Sequence, residues 1–221
     1  MKLLFVSAKS KKFPNFYSIP FHSLLSNFSK IGIISTTQFF NLIPELKKAL
    51  EKQKKKAIIY KNPNILGCNA IAAERIQDKV DAFVFLTSGE FHILNAINRI
   101  KKPIFQLNPI TGQFTKFDSQ KTEIIKQKQK IIEKKFILAK NIGLLITTKP
   151  GQQKLKESIK IKKQLENKGK NVFMFIFNNL DLNQFENFPE IQLYVNTACP
   201  GLMLDSDKII NLEQVNQIIK K

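Results

Sequence analysis

The chain has 221 residues, 43% of them hydrophobic, enough for one large or two modest domains with real cores. No apolar run approaches the roughly 18 residues of a membrane helix, and the opening Met1–Lys9 segment reads as a strand rather than a signal peptide. The formal net charge of +19 points to polyanions, but Arg75 and Arg99 are the only arginines, and specific nucleic-acid sites favour the arginine fork. The charge therefore implies weak, nonspecific RNA attraction more than a dedicated nucleic-acid binder. Two cysteines far apart, without an export signal, suggest a reducing cytoplasm.

In chain order, Leu3–Val6 is a first strand, followed by a Phe- and Ser-rich linker containing His22. Ile31–Thr37 is a continuous apolar run that ends in polar residues, as in a strand buried on both faces. A polar helix from Pro44 follows, then an apolar run at Ala57–Tyr60 and the loop Gly67-Cys68-Asn69. Val80–Ser88 is the next strand. A helix is predicted from Phe91 to Ile100, and a strand at Ile104–Leu107 between Pro103 and Pro109. A long polar helix, around Lys121 to Lys140, divides the chain.

The pattern then repeats. Ile142–Thr148 resembles Ile31–Thr37, and Ile191–Cys199 resembles Val80–Ser88 at the same offset. A helix over Gln152 to Lys168, with Leu155, Ile159 and Leu165 on one stripe, is stopped by Gly169. The strand Val172–Phe177 follows it. A tail helix begins at Leu212, with Asn211 as its cap. The predicted fold is α/β: two repeated Rossmann-like parallel-sheet domains, residues 29–120 with Cys68 and residues 121–221 with Cys199. Residues 1–28 and the tail helix read as parts of a third sheet.

Parallel α/β units place ligands beyond the carboxyl ends of their strands. Thr36–Gln38, Ser88–His92, Lys149–Gln152 and Cys199 all fall there. Ser88-Gly89-Glu90-Phe91-His92 is a strand–turn–helix junction with amides available to a carboxylate or phosphate. Lys149-Pro150-Gly151-Gln152 is a second such turn. Each cysteine lies in a loop just past a strand taken as buried. Two cysteines fall short of a closed four-ligand zinc site. The residues alone leave open two structural thiols, a shared metal or cluster site, and a disulfide or redox pair. His92 on this reading is either a structural histidine or a catalyst.

Taken together, Gly67-Cys68-Asn69, Gly89-Glu-Phe-His92, Lys149-Pro-Gly-Gln152 and Asn196-Thr-Ala-Cys-Pro200 resemble, in the same order, the motifs of the diphthamide synthase radical enzymes. Thr36-Thr-Gln38, Asp81-Ala-Phe and Asn108-Pro109 agree with that resemblance, which spans nearly the whole chain. It implies three related α/β domains, each lending one cysteine to a 4Fe-4S cluster. It implies that S-adenosylmethionine is cleaved to a 3-amino-3-carboxypropyl radical, which adds to a histidine of elongation factor 2. Cys68 and Cys199 match two cluster ligands. Gln38, Gly89, Phe91, His92, Lys149, Gly151 and Gln152 are the implied cofactor-pocket residues.

Three departures accompany the resemblance. By this resemblance the first domain and its cysteine are expected on another chain, Gly201 stands where arginine is common, and Thr87-Ser88 stands where glycines are usual. The expectation is a cytoplasmic 3-amino-3-carboxypropyl transferase acting as a subunit of a split enzyme. A separate chain would supply the third cysteine in a homo- or heterodimer. The alternative is a non-catalytic accessory subunit or degenerate paralogue.

Overall fold

The computed structural model describes residues 4, 6, 8–11, 14–97 and 99–220. The chain divides into two units, residues 1–122 and 123–221. The strand expected over Leu3–Val6 falls largely outside the described residues; Leu4 and Val6 are exposed.

The first unit contains β1 (Lys30–Ser35), β2 (Lys56–Asn64), β3 (Ala82–Leu86), β4 (Ile104–Leu107) and β5 (Phe114–Lys116), in the sheet order β2-β1-β3-β4-β5. The first four are parallel and β5 is antiparallel to β4. Its helices are α1 (Phe21–Leu25), α2 (Ile43–Lys52), α3 (Ile71–Glu74) and α4 (Phe91–Ala96). β1 and β3 are buried on both faces, as apolar runs without alternation require. Side chains alternate across the sheet into two cores, one holding Ile33, Val84 and Leu46, the other Phe83, Phe85 and Ile93. α2 starts with Pro44 at its first turn, where a missing N–H costs nothing, and buries Leu46, Ala49 and Leu50.

The second unit repeats the plan. α5 (Ser119–Leu138) enters it, followed by β6 (Asn141–Thr147), α6 (Leu155–Glu166), β7 (Asn171–Phe177), β8 (Leu193–Asn196), β9 (Ile209–Asn211) and α7 (Leu212–Ile219). The sheet order is β7-β6-β8-β9, all parallel.

Three devices recur at matching positions. Gly32 pairs with Phe83 and Gly143 with Tyr194. A Cβ on Gly32 would fall 2.5 Å from the Phe83 ring, and one on Gly143 would collide with Tyr194, so an aromatic ring takes the space over each glycine. The Asp81 carboxylate accepts from the Ser29 and Lys30 amides at 2.9 and 2.7 Å. The Gln192 carbonyl accepts from the Lys140 and Asn141 amides at 2.6 and 2.9 Å. Finally, Lys55 Nζ donates to the carbonyls of Leu25 (2.6 Å) and Phe28 (2.8 Å), while Lys170 Nζ donates to those of Phe136, Ile137 and Ala139 at 3.0, 3.0 and 2.6 Å. Each lysine satisfies carbonyls left open at a helix end.

Several expectations are corrected. Phe16, Ile19, Phe21 and Leu25, read as linker, are buried in the first unit's core. β9 pairs with β8, and Leu212 and Val215 of α7 are buried in the second unit's own core; the tail therefore completes this sheet rather than another. The helix predicted over Gln152–Lys168 starts at Leu155 because residues 149–152 are spent on a turn. Its buried stripe is Ser158, Ile161 and Leu165, while Leu155 and Ile159 are exposed. Ser158 is tolerated inside because its hydroxyl lies 2.8 Å from the Lys154 carbonyl and 3.2 Å from Thr197 Oγ1. The helix predicted to run to Ile100 closes at Ala96. The strand before Cys68, β2, is a half-exposed edge strand rather than a buried one.

Candidate functional site

In the first unit the carboxyl ends of β1, β2 and β3 meet. A cavity of about 240 Å³ is lined there by Thr36, Gln38, Thr87, Ser88, Gly89, Phe91 and His92. Four of the residues proposed from sequence, Gln38, Gly89, Phe91 and His92, are thus gathered in one place. None of the lining residues carries a carboxylate, and the polar side chains are hydroxyls, a carboxamide and an imidazole, each able to donate. Gln38 Nε2 donates to Ser88 Oγ at 3.4 Å, joining the β1 loop to the β3 turn. The turn is braced from within by Thr87, whose hydroxyl donates to the Gly89 carbonyl at 3.0 Å. A Cβ at Gly89 would meet nothing within 4 Å, so the glycine keeps open space above the turn. Glu90 points its carboxylate to Lys121 instead, at 2.8 Å to both oxygens, and that pairing raises the Lys121 pKa.

Thr36 was placed at a strand end by the sequence, within Thr36–Gln38, but was not among the implied cofactor-pocket residues. Its hydroxyl oxygen is buried without a hydrogen-bond partner among the described residues, in a cavity wall. A buried hydroxyl left so costs about 1–3 kcal/mol unless something satisfies it. The advance signals were its place immediately after a buried strand and its membership of the Thr36-Thr-Gln38 motif.

Cys68 is a free, exposed thiol on a tight turn. Leu66 and Asn69 close the turn by exchanging backbone hydrogen bonds of 2.9 and 3.0 Å, and Asn69 Oδ1 accepts from the Ile71 amide at 3.0 Å at the start of α3. The Gly67 amide donates to His92 Nδ1 at 3.2 Å. The thiol loop is therefore tied to the cavity wall. Burial pushes the His92 pKa below its ordinary value, so the ring is neutral at pH 7. With Nδ1 accepting, its proton sits on Nε2.

In the second unit, Lys149-Pro150-Gly151-Gln152 forms a turn after β6. The Gln152 amide donates to the Lys149 carbonyl at 3.1 Å, and Gly151 has φ 80°, a value that favours glycine. Lys149 and Gln152 are exposed. Cys199 follows β8, the strand beside β6, as a free and half-buried thiol. Its loop is pinned by two asparagines. Asn196 Nδ2 donates to the Cys199 carbonyl and to Asn211 Oδ1, both at 2.8 Å. Asn211 Nδ2 donates to the Pro200 carbonyl at 3.0 Å. Among the described residues, no three His, Cys, Asp or Glu side chains group to hold a metal.

A family profile described as "Putative diphthamide synthesis protein" matches residues 1–209. The chain belongs to the diphthamide synthesis family. Within it, the chain is 28% identical over 183 residues to the 2-(3-amino-3-carboxypropyl)histidine synthase of Pyrococcus horikoshii, covering 80% of this chain and 52% of that protein. It is 26% identical over 187 residues to subunit 1 of that synthase from Kluyveromyces lactis, covering 80% and 43%. The chain thus spans about half the length of these family members. The fold matches the crystal structure of Dph2 from Pyrococcus horikoshii with a 4Fe-4S cluster, with a TM-score of 0.80 and 23% identity, over 96% of this chain and 64% of that one. Family membership supports a role in diphthamide biosynthesis. No helix among the described residues is long and apolar enough to cross a membrane.

Proposed function

We propose that this chain is a cytoplasmic part of a diphthamide synthase in which Cys68 and Cys199 each give one thiolate to a 4Fe-4S cluster. A further domain, carried on a partner chain, gives the third. The donor chemistry fits: both cysteines are free, each lies in a loop just past a strand's carboxyl end, and soft thiolates suit an iron–sulfur group. When bound, the cluster supplies an electron and an open iron site for cleaving S-adenosylmethionine, whose 3-amino-3-carboxypropyl group goes to a histidine of elongation factor 2.

The chain's own residues bind and orient. Thr36, Gln38 and the neutral His92 offer hydrogen-bond donors to a carboxylate in a cavity without competing acids. Phe91 gives an apolar wall, and Gly89 keeps room at the turn. Lys149, Gly151 and Gln152 present a cation, a left-handed turn and an amide for a second polar group of S-adenosylmethionine. The observation that carries this reading is the shared sheet edge of the Cys68 loop and the carboxylate-free cavity.

The test is anaerobic iron–sulfur reconstitution of the full chain, with and without a partner carrying one loop cysteine. It is followed by electron paramagnetic resonance and S-adenosylmethionine cleavage. The expected result is a reducible cluster that needs the partner and is lost in Cys68→Ser and Cys199→Ser. A full, active cluster in this chain alone would refute the split enzyme. No reducible cluster under any condition would leave an accessory subunit.

A further inference from the structure

We infer that His92 is a positioning residue: through the Gly67 amide it sets the pose of the Cys68 loop, and it thereby couples the cavity to the presentation of that thiol. The inference rests on the assignment of Cys68 as a cluster ligand.

Three observations converge on it. His92 belongs to the first turn of α4, downstream of β3, while Gly67 lies beyond β2; the strands are separated by β1 in the sheet. The 3.2 Å bond from Gly67 to Nδ1 is therefore a tertiary link between two loops that the sheet does not join directly. Second, the turn's internal bonds use the amides and carbonyls of Leu66 and Asn69. The flanks are held as well, by the Ile65 amide on the Ser35 carbonyl at 2.9 Å and by Asn69 Oδ1 on the Ile71 amide at 3.0 Å, and the Gly67 amide, next to Cys68, ties the tip of the turn to a separate element. Third, His92 lines the cavity, where Thr36 Oγ1 stands unpartnered and nine-tenths buried. Once Nδ1 is committed to Gly67, only Nε2–H remains to serve a guest. A carboxylate accepting from Nε2–H would polarise the ring and make Nδ1 a better acceptor. Filling the cavity would then tighten the hold on the thiol loop. One imidazole serves both sides because one ring nitrogen accepts while the other donates, an arrangement that a lysine, which has no acceptor, cannot reproduce.

The test uses the full chain without metal, so it does not depend on whether a cluster forms. Amide hydrogen exchange is read at Gly67, with Leu66 and Asn69 as references in the same turn. Cys68 alkylation is read against Cys199 by mass spectrometry. In His92→Leu the Gly67 amide should exchange about tenfold faster, with the reference amides changed less than about threefold, and the Cys68 alkylation rate should shift relative to Cys199. His92→Asn places Oδ1 where Nδ1 stood, and it should return Gly67 exchange to within about threefold of the parent. The inference is overturned if Gly67 exchange in His92→Leu equals the parent's. It is equally overturned if all three amides accelerate together, which is general loosening, or if asparagine fails to rescue. These failures would leave the reconstitution result untouched, and a failed reconstitution would leave the tether standing.

Discussion

Asp81 and Gln192 occupy matching positions, and each takes two backbone N–H bonds. One is charged and the other is neutral, so the chain contains its own control. Asp81→Ala removes bonds of 2.9 and 2.7 Å from the Ser29 and Lys30 amides; Gln192→Ala removes bonds of 2.6 and 2.9 Å from Lys140 and Asn141. A neutral bond contributes about 0.5–1.5 kcal/mol net and a bond to a charged group more. Asp81 is only partly buried, and water screens part of that excess. Each variant should therefore lose about 1–2 kcal/mol at pH 7, with a fall of several degrees in the melting of its own unit.

Their pH dependence should separate them. The Lys30 and Ser29 amides hold the Asp81 pKa below its ordinary value of 3.8. A depressed carboxylate contributes stability above its unfolded pKa, and that contribution fades as pH falls through the folded value. The Asp81→Ala deficit should be flat from pH 8 to 5 and shrink below about pH 4. The Gln192→Ala deficit should not track pH. Calorimetric unfolding of the parent and both variants, paired at each pH, measures this. Equal pH dependence in both variants, or a constant Asp81→Ala deficit down to pH 3, would refute the argument.

Tyr194 Oη is buried without a partner among the described residues, and burial raises its pKa. Phenylalanine already fills the matching position at Phe83, so Tyr194→Phe should stabilise the second unit by about 1 kcal/mol in urea unfolding; a loss instead would mean that the hydroxyl has a use. Asn211→Ala removes the partner of Asn196 and of the Pro200 carbonyl together with a helix cap. It should cost about 1–2 kcal/mol and speed Cys199 alkylation while leaving Cys68 unchanged.

The sequence was most legible where burial is two-sided. Continuous apolar runs located β1, β3, β6 and β8, and prolines on both sides gave β4 its exact limits. Asn211, read as a cap, placed the start of α7. Short elements were not legible. β5 and β9 have three residues each, too few for a period, and exist because a neighbouring strand offers unpaired backbone groups. In α6 a buried serine broke the apolar stripe, since its hydroxyl finds partners that no pattern announces. At the site, strand ends followed by turn residues pointed to Gln38, Gly89, Phe91 and His92. The Gly67–His92 bond joins two motifs 25 residues apart, and the burial of the Thr36 hydroxyl depends on the packing around it, so neither could be read from a local motif.

The repeat carries its structural devices faithfully from one unit to the other, but it does not carry the sulfur. The position matching Cys199 in the first unit is Ser88, and the offset that takes β2 to β7 takes Cys68 to Asn183 in a 3-10 turn. The two cysteines thus stand at non-equivalent strand ends, Cys68 beyond the edge strand β2 and Cys199 beyond the inner strand β8, so the repeat does not make a matched pair of them.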